Sequence, residues 1–378
     1  MTHAFSFGSS ILYSHKYMNN KVGIAVIGTG FARKVQLPSF AACENAKMVS
    51  VASGGLENAR ATAEQFGIGH FTADWRESVA HDDVQLVCIT TPPKLHREMV
   101  LFALAHGKHI LCEKPMAMNV SEADEMTAAA EGAPVLALID HELRFQPGRL
   151  KAYRMLRDGV IGKVRHAKYN FQAPHRGDPN VAWNWWSDAD QGGGALGAIN
   201  SHVIDSFQWL MGTAVASVFC QLQTHVKERR DSMGKIRRVT ADDEAIMLLR
   251  FADSDLTEDG TGLVSVSMTE GPAYKNRAEF FGTGGAMRVD HRGGLYTAKT
   301  GQTDWTQIET DLGTGVEGVP DTGFSRGFMQ FAPKIVEAIR EGRASIEHAA
   351  TFEDGRSVQK VLDAARQSNE SGNTVSVR

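Results

Sequence analysis

The residues whose types and spacing suit chemistry fall at a few points of the chain. Gly28-Thr29-Gly30-Phe31 follows an apolar β-branched run and opens a helical stretch. Two glycines there let the backbone turn tightly and approach a pyrophosphate at a helix N-terminus. Gly-x-Gly alone is common in turns, and Arg33 stands where the full dinucleotide fingerprint has Gly or Ala. At the end of the next apolar run come Ser53 and Gly54, where a carboxylate would favour the free ribose 2′-OH of NAD. No carboxylate arrives before Glu57. Ser53 can donate to a 2′-phosphate that Arg33 or Arg60 could neutralise, so NADP is favoured over NAD; the plainer reading makes Ser53-Gly54 a turn. Lys114, in Glu113-Lys114-Pro115, ends another apolar run. An ammonium group at such a strand end faces the ligand crevice and can stabilise a developing alkoxide; otherwise it is a surface lysine. His202 lies in a helical stretch with Ala198, Asp205 and Trp209 on its face. Such a lone histidine is ordinarily a polar core residue, yet an imidazole titrating near ~6.5 suits proton removal from an alcohol.

The elements that must hold these residues can be read from periodicity. Between Lys21 and Asp140, apolar runs at Val22–Ile27, Met48–Ala52, Val84–Ile89, His109–Cys112 and Val135–Ile139 alternate with helical segments. Ser121 with Asp124 marks the start of the last of those helices. Continuous apolar strands separated by helices predict a parallel, doubly wound sheet covered on both faces. After Pro147 the pattern changes to period-two stretches with few helices between them, including a hairpin turn at Gly282–Gly285. The expected architecture is α/β: a Rossmann domain over 21–140, then an α+β domain over 141–378 with a large, mostly antiparallel, open sheet. Residues 1–20 lack a secretory pattern and are expected to be a disordered tail, with Met18 as a candidate start of the core sequence.

Composition excludes several classes. The 378 residues are 42% hydrophobic and 22% charged, with a net charge of −4, so neither a nucleic-acid nor an acidic-membrane footprint is present. No apolar run approaches the ~18 residues of a membrane span. Cys43, Cys88, Cys112 and Cys220 are widely spaced without a CxxC pair, which fits free thiols in the cytoplasm and no metal site. The run Lys227–Arg238 is interrupted by Glu228 and Asp231 and reads as a solvated hairpin loop. Asp242-Asp243-Glu244 reads as a strand start, since neighbours in a strand point to opposite faces.

Two signatures change the weight of these readings. Thr90-Thr91-Pro92-Pro93-Lys94-Leu95-His96 is followed by Gly107-Lys108-His109-Ile110-Leu111-Cys112-Glu113-Lys114-Pro115. Further on come His141-Glu142-Leu143-Arg144-Phe145, Trp185-Trp186, Gly192-Gly193-Gly194, Ser201-His202-Val203-Ile204-Asp205 and Thr351-Phe352-Glu353-Asp354-Gly355. Together these closely resemble the glucose–fructose oxidoreductase / inositol dehydrogenase family, from residue 21 nearly to the C-terminus. The resemblance implies an NAD(P)-dependent oxidoreductase acting on a secondary alcohol of a sugar or cyclic polyol. Lys114 would polarise the oxygen and His202 would take the proton. The cofactor crevice would include Thr90, Thr91, Pro92, His96 and Glu113. Arg144 would lie near the carboxamide or the substrate. It implies homodimers or homotetramers through the open sheet face.

One departure matters: the family's aspartate four residues before the histidine is Ala198 here. Asn200 or Asp205 could stand in; Asp205 matches a position the family carries in any case and is also expected among the substrate contacts. Trp185 and Trp186 can stack on sugar C–H faces or simply pack between domains. His175 could reach the same cleft, and His141 is a weaker candidate. Two rival readings keep the fold: a tightly held coenzyme used for redox-assisted glycosidic hydrolysis or elimination, and a sugar-binding protein without catalysis.

Overall fold

The computed structural model describes residues 21–378; the tail read above at 1–20 lies outside the described residues. The N-terminal apolar runs form β1 (Val22–Ile27), β2 (Ala46–Ala52), β3 (His70–Thr72), β4 (Leu86–Ile89), β5 (His109–Cys112) and β6 (Ala137–Ile139). They pair in parallel in the order β6-β5-β4-β1-β2-β3, the doubly wound arrangement. Every residue of β1 and of β4 is buried, as expected for strands covered on both faces. The strand order reverses between β1 and β4, and the turns leaving them carry Gly28 and Thr90.

The second sheet is built from β7 (Val164–Gln172), β8 (Val215–Gln223), β11 (Glu244–Phe251), β12 (Thr257–Ser267), β13 (Lys275–Gly282), β14 (Gly285–Val289), β15 (Leu295–Lys299), β16 (Thr306–Ile308) and β18 (Val375–Ser376). Its order is β16-β15-β14-β13-β7-β12-β11-β8-β18, antiparallel except where β7 meets β12. One face packs on the helices Pro147–Arg157, Ser201–Met211 and Phe352–Ser371. The other leaves Leu248, Ile246 and Leu263 exposed, which explains the strict alternation of burial along β11.

The basic run forms a two-stranded hairpin, β9 (Glu228–Arg230) with β10 (Ile236–Arg238). It is not wholly solvated. Arg229 is buried and donates to the carbonyls of Asp178, Val181 and Arg176, tying the hairpin to the loop that precedes the tryptophans. Asp242 accepts the Leu196 N–H at 2.7 Å, and Asp243 accepts those of His225 and Val226. These carboxylates accept backbone N–H groups at the start of the strand.

The chain then returns to the first domain. Helix Gly323–Arg340 lays Phe328 edge-on against Phe40 and stacks Phe331 on Phe145 at 4.2 Å. β17 (Ala350–Thr351) adds to the Rossmann sheet antiparallel to β6. Residues 323–351 therefore pack with the Rossmann sheet although they follow the second sheet in the chain. Helix Val120–Ala130 is capped by Asn119, which accepts the Glu122 N–H at 3.0 Å; Ser121, the sequence expectation, is already inside it. All four cysteines are free, and Cys43 is only half-buried. Among the described residues no helix is long and apolar enough to cross a membrane.

Removing the ring that docks the returning helix should be costly. Phe328→Ala is expected to destabilise the protein by about 3–5 kcal/mol, the usual range for an emptied aromatic site. Urea unfolding read by intrinsic fluorescence checks this, with an unchanged midpoint as the contrary result.

Candidate active site

The turn after β1 is a cradle. Gly28 has φ +93°, and a Cβ there would meet the Thr90 carbonyl oxygen at 2.5 Å, so only glycine fits. The Thr90 hydroxyl closes the same contact, donating to the carbonyl of Gly28 at 2.7 Å. At Gly30 and Gly54 a Cβ would meet nothing within 4 Å, which leaves open space over the strand ends. A helix starts at Gly30, and its first N–H groups have no partner within the helix. These features fit a dinucleotide's pyrophosphate. Phe31 turns away and packs against the Rossmann core.

Beside the cradle, Asn58 Nδ2 donates to Thr29 Oγ1 at 2.5 Å and to Ser53 Oγ at 2.8 Å. Arg33 donates to Gln65 and, at 3.4 Å, to Asn58 Oδ1. Arg60 instead faces Glu57 at 3.8 Å and the Phe71 ring. Arg33 thus joins the Ser53 cluster, and Arg60 leans on neighbours of its own.

His96 is not free to bind a ligand through its ring nitrogens. It is fully buried, with Nδ1 3.1 Å from the Pro115 carbonyl oxygen and Nε2 2.9 Å from that of Thr91. Burial holds its pKa below the ordinary value. Its role is to lock the Thr91-Pro92 turn to the Lys114-Pro115 turn, where the peptide bond is cis. Glu113 is buried too. Gln36 Nε2 bridges Glu113 Oε1 at 3.2 Å and Asp140 Oδ2 at 2.8 Å, and burial raises both carboxyl pKa values.

Lys114 and the helical stretch that carries His202 come from different domains and meet. Lys114 Nζ donates to the Ala198 carbonyl at 3.1 Å, one helical turn before His202. A short π-helical stretch, Leu196–Asn200, leads into the helix Ser201–Met211. It is pressed on the lysine's turn: a Cβ at Gly197 would lie 3.3 Å from the Pro115 ring. His202 is buried, packed against His141 and Phe324. Burial first, then the charges of Lys114, His141 and Arg149, hold its pKa well below the ordinary value. His202 Nδ1 lies 4.0 Å from Glu142 Oε2. Sequence reasoning passed over Glu142; an acidic residue just beyond β6, at the crevice edge of the sheet, was the available signal.

Other expected contacts require correction. Arg144 and Asp205 are not open to ligands in this structure. Arg144 grips Asp205 through Nε at 3.0 Å and Nη2 at 2.5 Å and adds Asp354 at 3.0 Å, with Arg144 and Asp205 both buried. The three residues brace β6, the histidine helix and the C-terminal helix. His175 is exposed, and among the described residues no hydrogen bond or ring contact joins it to Lys114 or His202. Trp185 and Trp186 sit half-buried on a single 3₁₀ turn. Trp186 packs on the second domain's core beneath Arg176. The backbone of both crowds Gly193, so they shape the glycine turn that enters the helix.

Fold and site together define an NAD-binding oxidoreductase of two domains. Residues 22–141 match the GFO_IDH_MocA oxidoreductase family with its NAD-binding Rossmann fold, and residues 150–288 match the GFO/IDH/MocA C-terminal domain. The chain belongs to this family. It is 34% identical over 232 residues to an uncharacterized oxidoreductase of Synechocystis, a match covering 61% of this chain and 62% of that protein. It is 28% identical to the levoglucosan dehydrogenase of Pseudarthrobacter phenanthrenivorans, over 92% of this chain and 96% of that one. A solved levoglucosan dehydrogenase in complex with NADH and levoglucosan superposes with a TM-score of 0.83 at 26% identity, covering 95% of this chain and all (100%) of the other.

If Asp205 serves as a brace, Asp205→Asn should lower the melting temperature while leaving the KM for an accepted sugar unchanged. Arg144→Met should cost about 3–5 kcal/mol, because it leaves Asp205 buried without its partner. A raised KM with unaltered melting would return Asp205 to the substrate contacts.

Proposed function

We propose that the protein is an NAD(P)-dependent dehydrogenase or reductase acting on a secondary alcohol of a sugar or cyclic polyol. The observation that carries this reading is the convergence of Lys114 and His202 on the Ala198 turn, beside the crevice of the Rossmann sheet. When bound, the oxidised coenzyme supplies the hydride acceptor. Lys114, which now donates to a backbone carbonyl, can turn its ammonium to the substrate oxygen and stabilise the alkoxide. His202 takes the hydroxyl proton. Asn200 Oδ1, Ser201 Oγ and His141 Nδ1 are buried without a partner on the elements that meet here, and a hydroxyl-rich ligand would satisfy such groups. The solved relatives holding levoglucosan or L-sorbose support the sugar class.

The coenzyme preference we infer is NADP over NAD. Arg33 has neutral partners, Gln65 and Asn58, and no carboxylate pairs with it among the described residues. An uncompensated guanidinium beside Ser53 suits a 2′-phosphate. The solved relatives with NADH argue for measuring both. We further read the exposed face of the second sheet as the contact of a homodimer or homotetramer, and the four free thiols as fitting the cytoplasm. Light scattering of the purified chain tests the assembly; a monomer at micromolar concentration rejects it.

Two outcomes test the main reading. A polyol and aldose panel with each coenzyme should show net coenzyme reduction, and Lys114→Met should lower turnover by about 10²-fold or more with coenzyme affinity retained. Near-normal turnover in that variant removes Lys114 from the chemistry. Titration should give tighter binding of NADP than NAD, and Ser53→Asp should reverse the order; tighter NAD binding by the unaltered protein refutes the preference.

A further inference from the structure

Two buried atoms face each other between the turn after β6 and the histidine helix, and neither has a hydrogen-bond partner. They are His202 Nδ1 and Glu142 Oε2, 4.0 Å apart. Both side chains are only 2% exposed, so solvent does not readily supply the missing bonds. The carboxyl partners the sequence suggested for His202 are absent or occupied: Ala198 offers none, and Asp205 is held by Arg144. Asn200, whose Oδ1 is unpartnered, is neutral and cannot take up a proton as a carboxylate does. A movement of about 1 Å brings Nδ1 and Oε2 into hydrogen-bond range, the kind of tightening that accompanies substrate binding.

We propose that Glu142 is the resting place of the proton that His202 removes from the substrate, with the imidazole acting as a relay between them. The inference rests on the oxidoreductase reading above. Before transfer, Glu142 is a carboxylate accepting the Nδ1–H of a neutral His202, which leaves Nε2 open to the substrate hydroxyl. The O–H proton then passes to Nε2 as the Nδ1 proton passes to Glu142 Oε2. The ring ends neutral with its proton on Nε2, and Glu142 ends as the acid. The carbinol C–H leaves as hydride to the oxidised coenzyme, so a C=O bond forms with one hydride and one proton accounted for.

The charges around the pair favour this end state. Lys114, His141 and Glu142 face His202 from the strand-end turns and Arg149 from the helix Pro147–Arg157, while Asp205, held by Arg144, acts on His141 and Glu142. Burial, Lys114, His141 and Arg149 all oppose an imidazolium. Burial first, then the neighbouring Glu113, pushes the Glu142 carboxyl well above its usual range, with Asp205 adding and Lys114 opposing. A relay through neutral imidazole changes the pair's charge from −1 to zero, whereas a histidine acting alone would become cationic among cations.

The test is kcat for sugar oxidation against pH, with coenzyme Kd measured alongside, for the wild type, Glu142→Gln, Glu142→Asp and His202→Asn. The wild-type rate should rise with pH through the raised pKa of the pair and then level off. Glu142→Gln should lower kcat about 10- to 100-fold and move that limb to lower pH, where the unassisted imidazole titrates, at unchanged coenzyme Kd. Glu142→Asp should retain the limb. A Glu142→Gln protein with wild-type rate and an unmoved limb overturns the relay and leaves the oxidoreductase reading intact. His202→Asn retaining full rate overturns the histidine assignment itself. Should Glu142→Gln not fold, single-turnover hydride transfer by the wild type in mixed H₂O and D₂O decides. Two protons in flight give a curved dependence on deuterium fraction, and a linear dependence overturns the relay.

Discussion

The site depends on one contact, that of the Lys114-Pro115 turn with the helical stretch that begins at Leu196. Lys114 belongs to the Rossmann sheet and His202 to the second domain, and the proposed chemistry needs both. The contact is close because Gly197 presents no side chain to the Pro115 ring, and because Gly192 lies against Pro93 in the same way. Lys114 then reaches the Ala198 carbonyl directly. A Cβ at Gly192 would overlap the Pro93 ring, and one at Gly197 would force the Pro115 ring to give by a few tenths of an ångström.

Everything else near the cleft secures that contact. His96 joins the two turns at the ends of β4 and β5 through backbone carbonyls. Arg144, Asp205 and Asp354 tie the end of β6 to the helices Ser201–Met211 and Phe352–Ser371. Such a buried ion pair adds little net stability over apolar packing, yet it is intolerant of losing one member. It therefore fixes relative position, which is what a site split between domains requires. The capping box at Thr351 and Asp354 orders the helix end that supplies the last carboxylate.

The same burial gives the cleft its electrostatic character. Glu113, Asp140 and Glu142 crowd one side, with their protonated forms favoured by desolvation and by one another. Lys114 and Arg149 stand around the imidazole and favour its neutral form. A proton arriving at His202 thus finds cationic neighbours on one side and proton-hungry carboxylates on the other. That asymmetry is a property of the assembled cleft, because its members come from β5, β6, the histidine helix and the helix Pro147–Arg157.

By itself the sequence determined both sheets and the glycine cradle, and it singled out Lys114 and His202 as candidates for the chemistry. These are local: a buried parallel strand needs an unbroken apolar run, a solvent-facing antiparallel strand needs alternation, and the cradle needs glycine at a left-handed φ. The resemblance in the Thr-Pro-Pro and Glu-Lys-Pro stretches supplied the pairing of two distant residues that periodicity cannot connect. β3 and β17 escaped because three- and two-residue strands carry no period. Only the tertiary structure decided what the polar residues do once buried. Arg144 and Asp205 have the chemistry of ligand contacts, but their geometry satisfies each other. His96 has the chemistry of a cofactor contact but is enclosed by carbonyls. Glu142 is marked in the sequence only by its place just beyond β6, and it gains its meaning because folding sets its carboxyl opposite an imidazole sixty positions away in the chain. A side chain's type fixes which bonds it can make, whereas partners brought together by long-range packing fix which of them remain unmade.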